Sequence, residues 1–263
     1  MSNNNPIGIF DSGVGGTSIW KEIHTLLPYE NTIYLADSKN APYGYKSVEE
    51  IISLSIKNTD YLLKMGCKII VVACNTATTN AISILRKKHD IPFIGIEPAI
   101  KPAALNTQSN SIGILATKGT LNSRLFSTTS GEVTNNITII EVIGKGLVPL
   151  IEEGKVNSKE TISLLEKYLQ PMLDANIDHL VLGCSHYPYL IPQLKKMLPK
   201  EVSIIDSGEA VARQTKKILQ RYNLISLSKE KTKLDFYTNS DTKVLQLFLK
   251  EYTDRVSVKN KEF

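Results

Sequence analysis

The 263-residue sequence predicts an α/β protein made of two similar domains with mostly parallel sheets. Short apolar runs alternate with helical patterns along the chain, which is typical of parallel sheets covered by helices. In addition, the stretch IGIF at residues 7–10 returns as IGIL at residues 112–115, 105 residues later. Such an internal similarity indicates a duplicated unit. We therefore expect two halves related by a pseudo-two-fold rotation.

Eight apolar runs have the length of strands. They comprise residues 6–10, Thr32–Ala36, 68–73, 92–96, 111–115, 137–142, 179–182 and 202–205. Several of these runs are apolar at nearly every position. This pattern is typical of strands that are covered by helices on both faces.

The clearest helix is predicted to begin after Ser47 and to end before Gly66. Ser47 and Glu50 have the spacing of a capping box, in which the serine side chain accepts a hydrogen bond from the first turn. The residues that recur at helical intervals, and that we expect to cover the core, are Ile52, Ile56, Thr59 and Leu63.

The charge of the chain argues against a nucleic-acid partner. The net charge is +5, and the lysines are not interleaved with aromatic residues, so a solvated basic surface is the better interpretation. Such a surface attracts a small anionic substrate. No window approaches the ~18 apolar residues of a membrane span, so we expect no membrane association.

The cysteines and the N-terminus indicate the cytoplasm. Residues 1–6 lack the basic region and apolar stretch of a signal peptide. The three cysteines are an odd number, too few for a disulfide framework and typical of reduced thiols. We therefore expect a cytoplasmic protein whose thiols are available for chemistry.

Polar and thiol side chains follow the predicted strands, at the edge where open α/β sheets bind ligands. They are Asp11, Asp37, Cys74, Glu97, Thr117, Cys184 and Asp206. Each has a structural explanation, because free cysteine is usually a packing residue and aspartate often caps a helix. Cys74 and Cys184, however, close similar apolar runs 110 residues apart. This symmetry favours two thiols that face one substrate.

The segment DSGVGGT at residues 11–17 is predicted to be a glycine-rich loop entering a helix, where free N–H groups favour a carboxylate or phosphate. It is not a dinucleotide fingerprint, because Ser18 stands where the last glycine is required, and no P-loop pattern is present. Cys74, Cys184 and His186 also lack the ligand spacing of a zinc site. We expect neither a cofactor nor a metal.

Taken in order, the motifs resemble those of the glutamate racemases in the aspartate/glutamate racemase superfamily. They are DSGVGG at 11–16, PYG at 42–44, ACNT at 73–76, ATKGT at 116–120, GCSHYP at 183–188 and DSG at 206–208. Each motif is weak alone, but the ordered set is specific and runs nearly the length of the chain. The chain departs from the usual pattern at Ser185, where the family usually has threonine.

The resemblance implies a cofactor-independent racemase that interconverts L- and D-glutamate and supplies D-glutamate for peptidoglycan. It implies a first domain of residues 1–97 plus 208–263 and a second of residues 98–207, with the active site in the cleft between them. Members of the family are commonly homodimers.

Inversion at an α-carbon removes a proton from one face and delivers one to the other, so two acid–base groups must flank the carbon. Cys74 and Cys184 can form this pair if one is a thiolate while the other is protonated. The resemblance implies that Asp11 assists Cys74, and that Glu152 and His186 assist Cys184.

The resemblance leaves one ambiguity, because Glu152 and Glu153 are adjacent; it favours Glu152. It also implies a set of substrate contacts, namely Asp11, Ser12, Tyr43, Gly44, Asn75, Thr76, Thr117, Ser185 and His186. Hydroxyls, amides and backbone N–H groups of this kind suit the carboxylates and ammonium group of an amino acid.

Other functions stay open at this point. A superfamily relative acting on aspartate, a hydantoin or a malonate derivative is one, although the last is expected to need a single cysteine. A cysteine hydrolase with His186 as base is another, but it leaves the second cysteine without a purpose. A small-molecule binding module would tolerate the loss of both thiols.

Overall fold

The computed structural model describes residues 3–131, 137–228 and 230–263; residues 1 and 2 of the N-terminal segment considered above lie outside the described residues. The described strands are β1 (Ile7–Asp11), β2 (Thr32–Ala36), β3 (Ile69–Val72), β4 (Phe93–Gly95), β5 (Ser111–Ala116), β6 (Thr138–Ile143), β7 (His179–Gly183), β8 (Ser203–Ile205), β9 (Leu234–Thr238) and β10 (Val256–Asn260). The described α-helices are α1 (Thr17–Leu26), α2 (Val48–Lys64), α3 (Asn75–Lys88), α4 (Ile100–Asn106), α5 (Lys118–Leu121), α6 (Arg124–Gly131), α7 (Leu147–Glu152), α8 (Lys159–Asp174), α9 (Ile191–Met197), α10 (Gly208–Arg221) and α11 (Thr242–Phe248).

The strands form two parallel sheets. One has the order β10-β9-β2-β1-β3-β4 and the other the order β6-β5-β7-β8. In the first sheet β1 lies between β2 and β3, with β4 beyond β3; in the second, β5 lies between β6 and β7, with β8 beyond β7. The predicted α/β fold with two similar parallel sheets is confirmed, because β5–β8 repeat the order of β1–β4.

All eight predicted strands are present, with ends shifted by at most one residue. Two further strands, β9 and β10, were not predicted. Each has five residues and a charged side chain in the run, Asp235 in one and Lys259 in the other. They extend the first sheet beyond β2.

Helix α2 begins as predicted, since the Ser47 hydroxyl accepts a hydrogen bond from the Glu50 N–H at 3.2 Å. The predicted core-covering residues do contact the core, but most of them are only half-buried. Ile52, Ile56 and Leu63 are half-buried and pack against the core, and Thr59 is fully buried. The fully buried residues of the helix are Ile51, Ser55, Asn58, Thr59 and Leu62. Three of these are polar, and two of the three are hydrogen-bonded: the Ser55 hydroxyl donates to the Ile51 carbonyl, and the Asn58 amide donates to the Tyr43 hydroxyl. The Thr59 hydroxyl has no hydrogen-bond partner among the described residues.

The apolar core does not divide into one part per sheet. A single cluster of buried side chains runs from Ile7 and Trp20 to Leu165 and Leu182, and so joins the two halves. Helix α10 packs along α1, which places the chain after residue 208 against the first sheet. None of the described helices combines the length and apolar character needed to cross a membrane.

A buried ion pair connects three distant segments. The ammonium group of Lys68, just before β3, lies 2.5 Å from a carboxylate oxygen of Glu30 and also donates to the Asn3 carbonyl. The other oxygen of Glu30 accepts the Ser226 N–H at 2.7 Å. Lys68 is fully buried and Glu30 nearly so. The pair thus ties the N-terminal segment and the chain after α10 to the first sheet.

We predict that Lys68→Met destabilises the protein by about 3–5 kcal/mol, because it leaves the Glu30 carboxylate buried without its counter-charge. Urea denaturation at neutral pH measures the free energy of unfolding. Lys88→Met is the control, because Lys88 pairs with Asp60 at the surface, where such pairs contribute about 0.2–1 kcal/mol. Equal losses in the two variants would contradict a structural role of the buried pair.

Candidate active site

Both candidate thiols line one cavity at the carboxyl ends of the two sheets. Cys74 follows β3 and caps α3, with its sulfur 3.4 Å from the Ala77 nitrogen. Cys184 follows β7, the strand that corresponds to β3 in the second sheet. Both cysteines are buried in the wall of this cavity.

Most of the predicted substrate contacts lie in the same wall. They are Ser12, Tyr43, Gly44, Asn75, Thr76, Thr117, Ser185 and His186. Asp11 and Glu152 are not part of the wall; they contact His186 from behind. Pro42 and Val148 also line the cavity, and sequence reasoning did not identify either of them.

The surroundings of Cys74 are anionic. Asp11 is fully buried, and one of its oxygens accepts the N–H groups of Gly13 and Gly16, at 3.2 and 2.9 Å. Burial raises the pKa of Asp11, although His186 and the Gly16 N–H oppose the effect. Burial and the charge of Asp11 together raise the pKa of the Cys74 thiol far above its ordinary value. A thiol whose pKa is raised in this way is protonated at neutral pH.

Cys184 lies beside a histidine that is paired with a carboxylate. One ring nitrogen of His186, Nδ1, lies 3.8 Å from the Cys184 sulfur, and the other, Nε2, lies 2.5 Å from the Glu152 carboxylate. Burial alone lowers the pKa of His186, but contacts with Cys184, Glu152 and Asp11 outweigh it and raise this pKa well above 6.5. The imidazolium is placed to stabilise negative charge on Cys184.

Glu152, at the end of α7, reaches across from the second half of the chain to the first. Its Oε1 accepts the Val14 N–H at 2.7 Å, and its Oε2 accepts the Ser38 hydroxyl at 2.9 Å. The adjacent Glu153 instead pairs with Lys155, and both side chains are about half exposed. Of the two glutamates, Glu152 is therefore the one that contacts the candidate site.

The glycine-rich loop at residues 11–17 is predicted to favour a carboxylate or phosphate, and the N–H groups of Gly13, Val14 and Gly16 do bind carboxylates. These groups are hydrogen-bonded to the protein's own carboxylates, Asp11 and Glu152. The glycines are also needed for close approach. A Cβ on Gly13 would overlap the Glu152 carboxylate, and a Cβ on Gly15 would overlap the His186 ring.

Contacts across the cavity join the two sheets. The Thr76 hydroxyl lies 2.8 Å from the Thr117 hydroxyl, and the Ser185 hydroxyl donates to Asp11 at 3.0 Å. The Tyr43 hydroxyl donates to the buried Asp37 at 2.5 Å, so it is already used within the protein. The Asn75 side chain differs from these, because neither its oxygen nor its nitrogen has a partner among the described residues although it is buried.

The remaining strand-end residues do not reach the cavity. Asp37 lies beneath Tyr43, Glu97 is exposed, and Asp206 accepts the Gly208 N–H at 2.7 Å at the start of α10. Cys67 is buried elsewhere, and burial raises its pKa to about 12. Within the part of the chain that the structure describes, no cluster of three or more histidine, cysteine or acidic side chains could hold a metal ion.

Comparison with known proteins identifies the family. The family model for Asp/Glu/hydantoin racemases matches residues 8–215. The chain belongs to this family. A glutamate racemase of Ralstonia pickettii is 46% identical over 208 residues, which cover 79% of this chain and 74% of the relative. A glutamate racemase of Herpetosiphon aurantiacus is 41% identical over 236 residues, which cover 90% and 93%.

Solved structures of the family share the whole fold. A glutamate racemase isoform of Bacillus anthracis superposes with a TM-score of 0.88 at 30% identity, covering 99% of this chain and 98% of that one. The Escherichia coli glutamate racemase, in complex with L-glutamate and the activator UDP-MurNAc-Ala, gives 0.85 at 32% identity, covering 97% and 98%. The predicted family is confirmed, and the chain is an isomerase of the amino-acid racemase class.

We predict that Glu152→Gln lowers the pKa of His186, because it removes the negative charge beside Nε2. Titration of the His186 ring by NMR measures this pKa. Glu153→Gln is the control, and it should leave the titration unchanged since Glu153 pairs with Lys155 at the surface. If Glu152→Gln and Glu153→Gln gave the same titration curve for His186, Glu152 would not be the carboxylate that raises the pKa of His186.

The raised pKa also predicts how His186 affects stability. Because this pKa is higher in the folded state than in the unfolded one, the imidazolium contacts stabilise the fold fully below about pH 6.5. Their contribution is lost as the pH rises through the folded-state pKa. In Glu152→Gln that loss should begin at a lower pH.

Proposed function

We propose that this chain interconverts L- and D-glutamate without a cofactor, with Cys74 and Cys184 as the two acid–base groups. The observation that carries the proposal is that both thiols line one cavity from equivalent positions in two similar sheets. The choice of glutamate is supported by relatives named glutamate racemase that are 41–46% identical. The product D-glutamate would supply peptidoglycan synthesis in the cytoplasm.

In the proposed reaction one thiolate removes the α-proton, and the other thiol delivers a proton to the opposite face of the α-carbon. In one direction of the reaction Cys74, whose pKa is raised by burial and by the charge of Asp11, delivers the proton. The His186 imidazolium favours negative charge on Cys184, which would remove the α-proton. Each turnover reverses the two protonation states, and the reaction from the other enantiomer restores them.

The polar groups behind the cysteines support this exchange. Asp11 has a raised pKa and lies near Cys74, so it can hold or release a proton as Cys74 changes state. His186 does the same for Cys184, and Glu152 keeps its ring oriented. Each thiol must accept a proton in one direction of the reaction and donate one in the other. The groups beside each cysteine therefore have to support both its thiolate and its thiol form.

Substrate binding is assigned to neutral donors in the cavity wall. The buried Asn75 amide has two unpaired polar atoms, and a buried amide of this kind is expected to hydrogen-bond a ligand. The hydroxyls of Thr76 and Thr117 lie nearby in the same wall. Such groups bind carboxylates without adding a charge that would compete with His186.

We further infer that the cavity is the cleft between a domain of residues 1–97 plus 208–263 and a domain of residues 98–207. This division is supported by the membership of the sheets, since β1–β4, β9 and β10 share one sheet and β5–β8 the other. A homodimer is inferred from the family resemblance alone.

We predict that the purified protein racemises L-glutamate and D-glutamate in buffer containing a chelator and no added pyridoxal phosphate. Circular dichroism follows the loss of ellipticity as each enantiomer, supplied separately, is racemised. L-aspartate under the same conditions should give little or no change. Racemisation of aspartate alone, or activity that the chelator abolishes, would overturn the proposed function.

We predict that Cys74→Ser and Cys184→Ser each lose nearly all racemisation, because a serine hydroxyl is far too weakly acidic to replace a thiol. Each variant should still catalyse elimination of HCl from one enantiomer of 3-chloroglutamate. In that reaction the remaining thiolate takes the α-proton, chloride leaves the β-carbon, and the enamine product hydrolyses to 2-oxoglutarate and ammonium.

The two serine variants should therefore act on opposite enantiomers of 3-chloroglutamate. Cys67→Ala is the control, because Cys67 is buried away from the cavity and its loss should leave racemisation intact. A serine variant that racemises at the wild-type rate would show that its cysteine is structural.

A further inference from the structure

The turn that follows β2 brings a serine hydroxyl against the carboxylate of Glu152. The Ser38 hydroxyl donates to Oε2 at 2.9 Å, while Oε1 accepts the Val14 N–H at 2.7 Å and lies 2.5 Å from His186. Both oxygens of the carboxylate are thus hydrogen-bonded. Ser38 is the contact that occupies the oxygen turned away from the histidine.

The turn itself is held firmly. Residues Ser38–Asn40 form a 3-10 turn, and the side-chain amide of Asn239, just after β9, binds it on both sides. The amide nitrogen donates to the Asp37 carboxylate at 2.5 Å, and the amide oxygen accepts the Lys39 N–H at 2.9 Å. Ser38 lies between these two anchors, so its hydroxyl is presented to Glu152 from a fixed backbone.

We propose that Ser38 is a positioning residue for the Cys184 side of the site, acting on Glu152 and through it on His186. The terminal torsion of a glutamate side chain is broad and roughly two-fold, so a carboxylate held at one oxygen can rotate. The Ser38 hydroxyl prevents that rotation and keeps Oε1 directed at His186. The inference rests on the proposed function for its kinetic consequence, but not for its geometry.

Loss of the Ser38 hydroxyl should affect proton transfer by Cys184 and not by Cys74. The contacts run from Ser38 through Glu152 and His186 to Cys184, and none of the hydrogen bonds described for Ser38 involves Cys74. Racemisation hides such asymmetry, because the two enantiomers have equal free energies and kcat/KM must be the same in both directions. Irreversible elimination from 3-chloroglutamate does not have this constraint, so each thiol can be examined separately.

The test compares Ser38→Ala, Ser38→Thr and Lys39→Ala. Cys184→Ser first identifies the 3-chloroglutamate enantiomer whose α-proton Cys184 removes. With that enantiomer Ser38→Ala should lower kcat for elimination about tenfold, the effect of about 1.4 kcal/mol in an activation barrier. With the other enantiomer kcat should change less than twofold (~0.4 kcal/mol). Ser38→Thr keeps a hydroxyl and should restore the rate.

Lys39→Ala is the matched control in the same turn. The Lys39 side chain pairs with Glu262 at the surface, 3.0 Å away, and does not reach the site. It should leave both elimination rates unchanged. Equal losses for both enantiomers in Ser38→Ala, or no loss for either, would overturn the proposal.

A measurement without substrate separates this inference from the proposed function. If Ser38 directs Glu152 at His186, then Ser38→Ala lowers the pKa of His186 in an NMR titration, and Ser38→Thr returns it toward the wild-type value. An unchanged titration in Ser38→Ala would overturn the positioning role whatever the substrate is. A wild-type protein that does not racemise glutamate would overturn the proposed function and leave this result standing.

Discussion

The contact on which the site most depends is the carboxylate of Glu152. It comes from the second half of the chain and is bound by the Val14 N–H and the Ser38 hydroxyl of the first half, while it orients His186 in its own half. One side chain therefore fixes the loop after β1, the turn after β2 and the ring beside Cys184 relative to one another. The two glycines of the loop that face Glu152 and His186 make this close approach sterically possible.

The backbone of the molecule is duplicated, but the chemistry at the ends of the strands is not. Cys74 and Cys184 follow corresponding strands, yet one lies near a buried carboxylate and the other beside an imidazolium. A duplicated fold thus provides two thiols at one cavity. The groups around the two thiols differ, and the pKa of Cys74 is raised by burial and by the charge of Asp11.

Much of the fold followed from the sequence, because its signals are local. The alternation of apolar runs predicted eight strands, and the similarity between residues 7–10 and 112–115 predicted that the chain contains a duplicated unit. The features that were not predicted depend on contacts with residues that are distant in the sequence. Polar Ser55 and Asn58 are buried because they find hydrogen-bond partners, and β9 and β10 are strands because they pair beside β2.

The candidate site likewise has features that the sequence predicted and features that it did not. The motifs located the thiols and the cavity wall, since these residues follow strands directly. They could not decide between Glu152 and Glu153, because that depends on which side of α7 faces the first half. Ser38 was overlooked although it lies only two residues beyond the end of β2, one position after Asp37, which the same rule had selected.

The carboxylates bound to the glycine-rich loop indicate how the site would respond to the loss of Glu152. The N–H groups of Gly13, Val14 and Gly16 bind carboxylates that belong to the protein, those of Asp11 and Glu152. Shortening Glu152 to alanine would vacate a space bordered by the Val14 N–H, the Ser38 hydroxyl and the His186 ring. That space has the donors and the charge to bind formate. Formate supplied from solution is therefore expected to restore activity to Glu152→Ala, because it would occupy the position of the missing carboxylate.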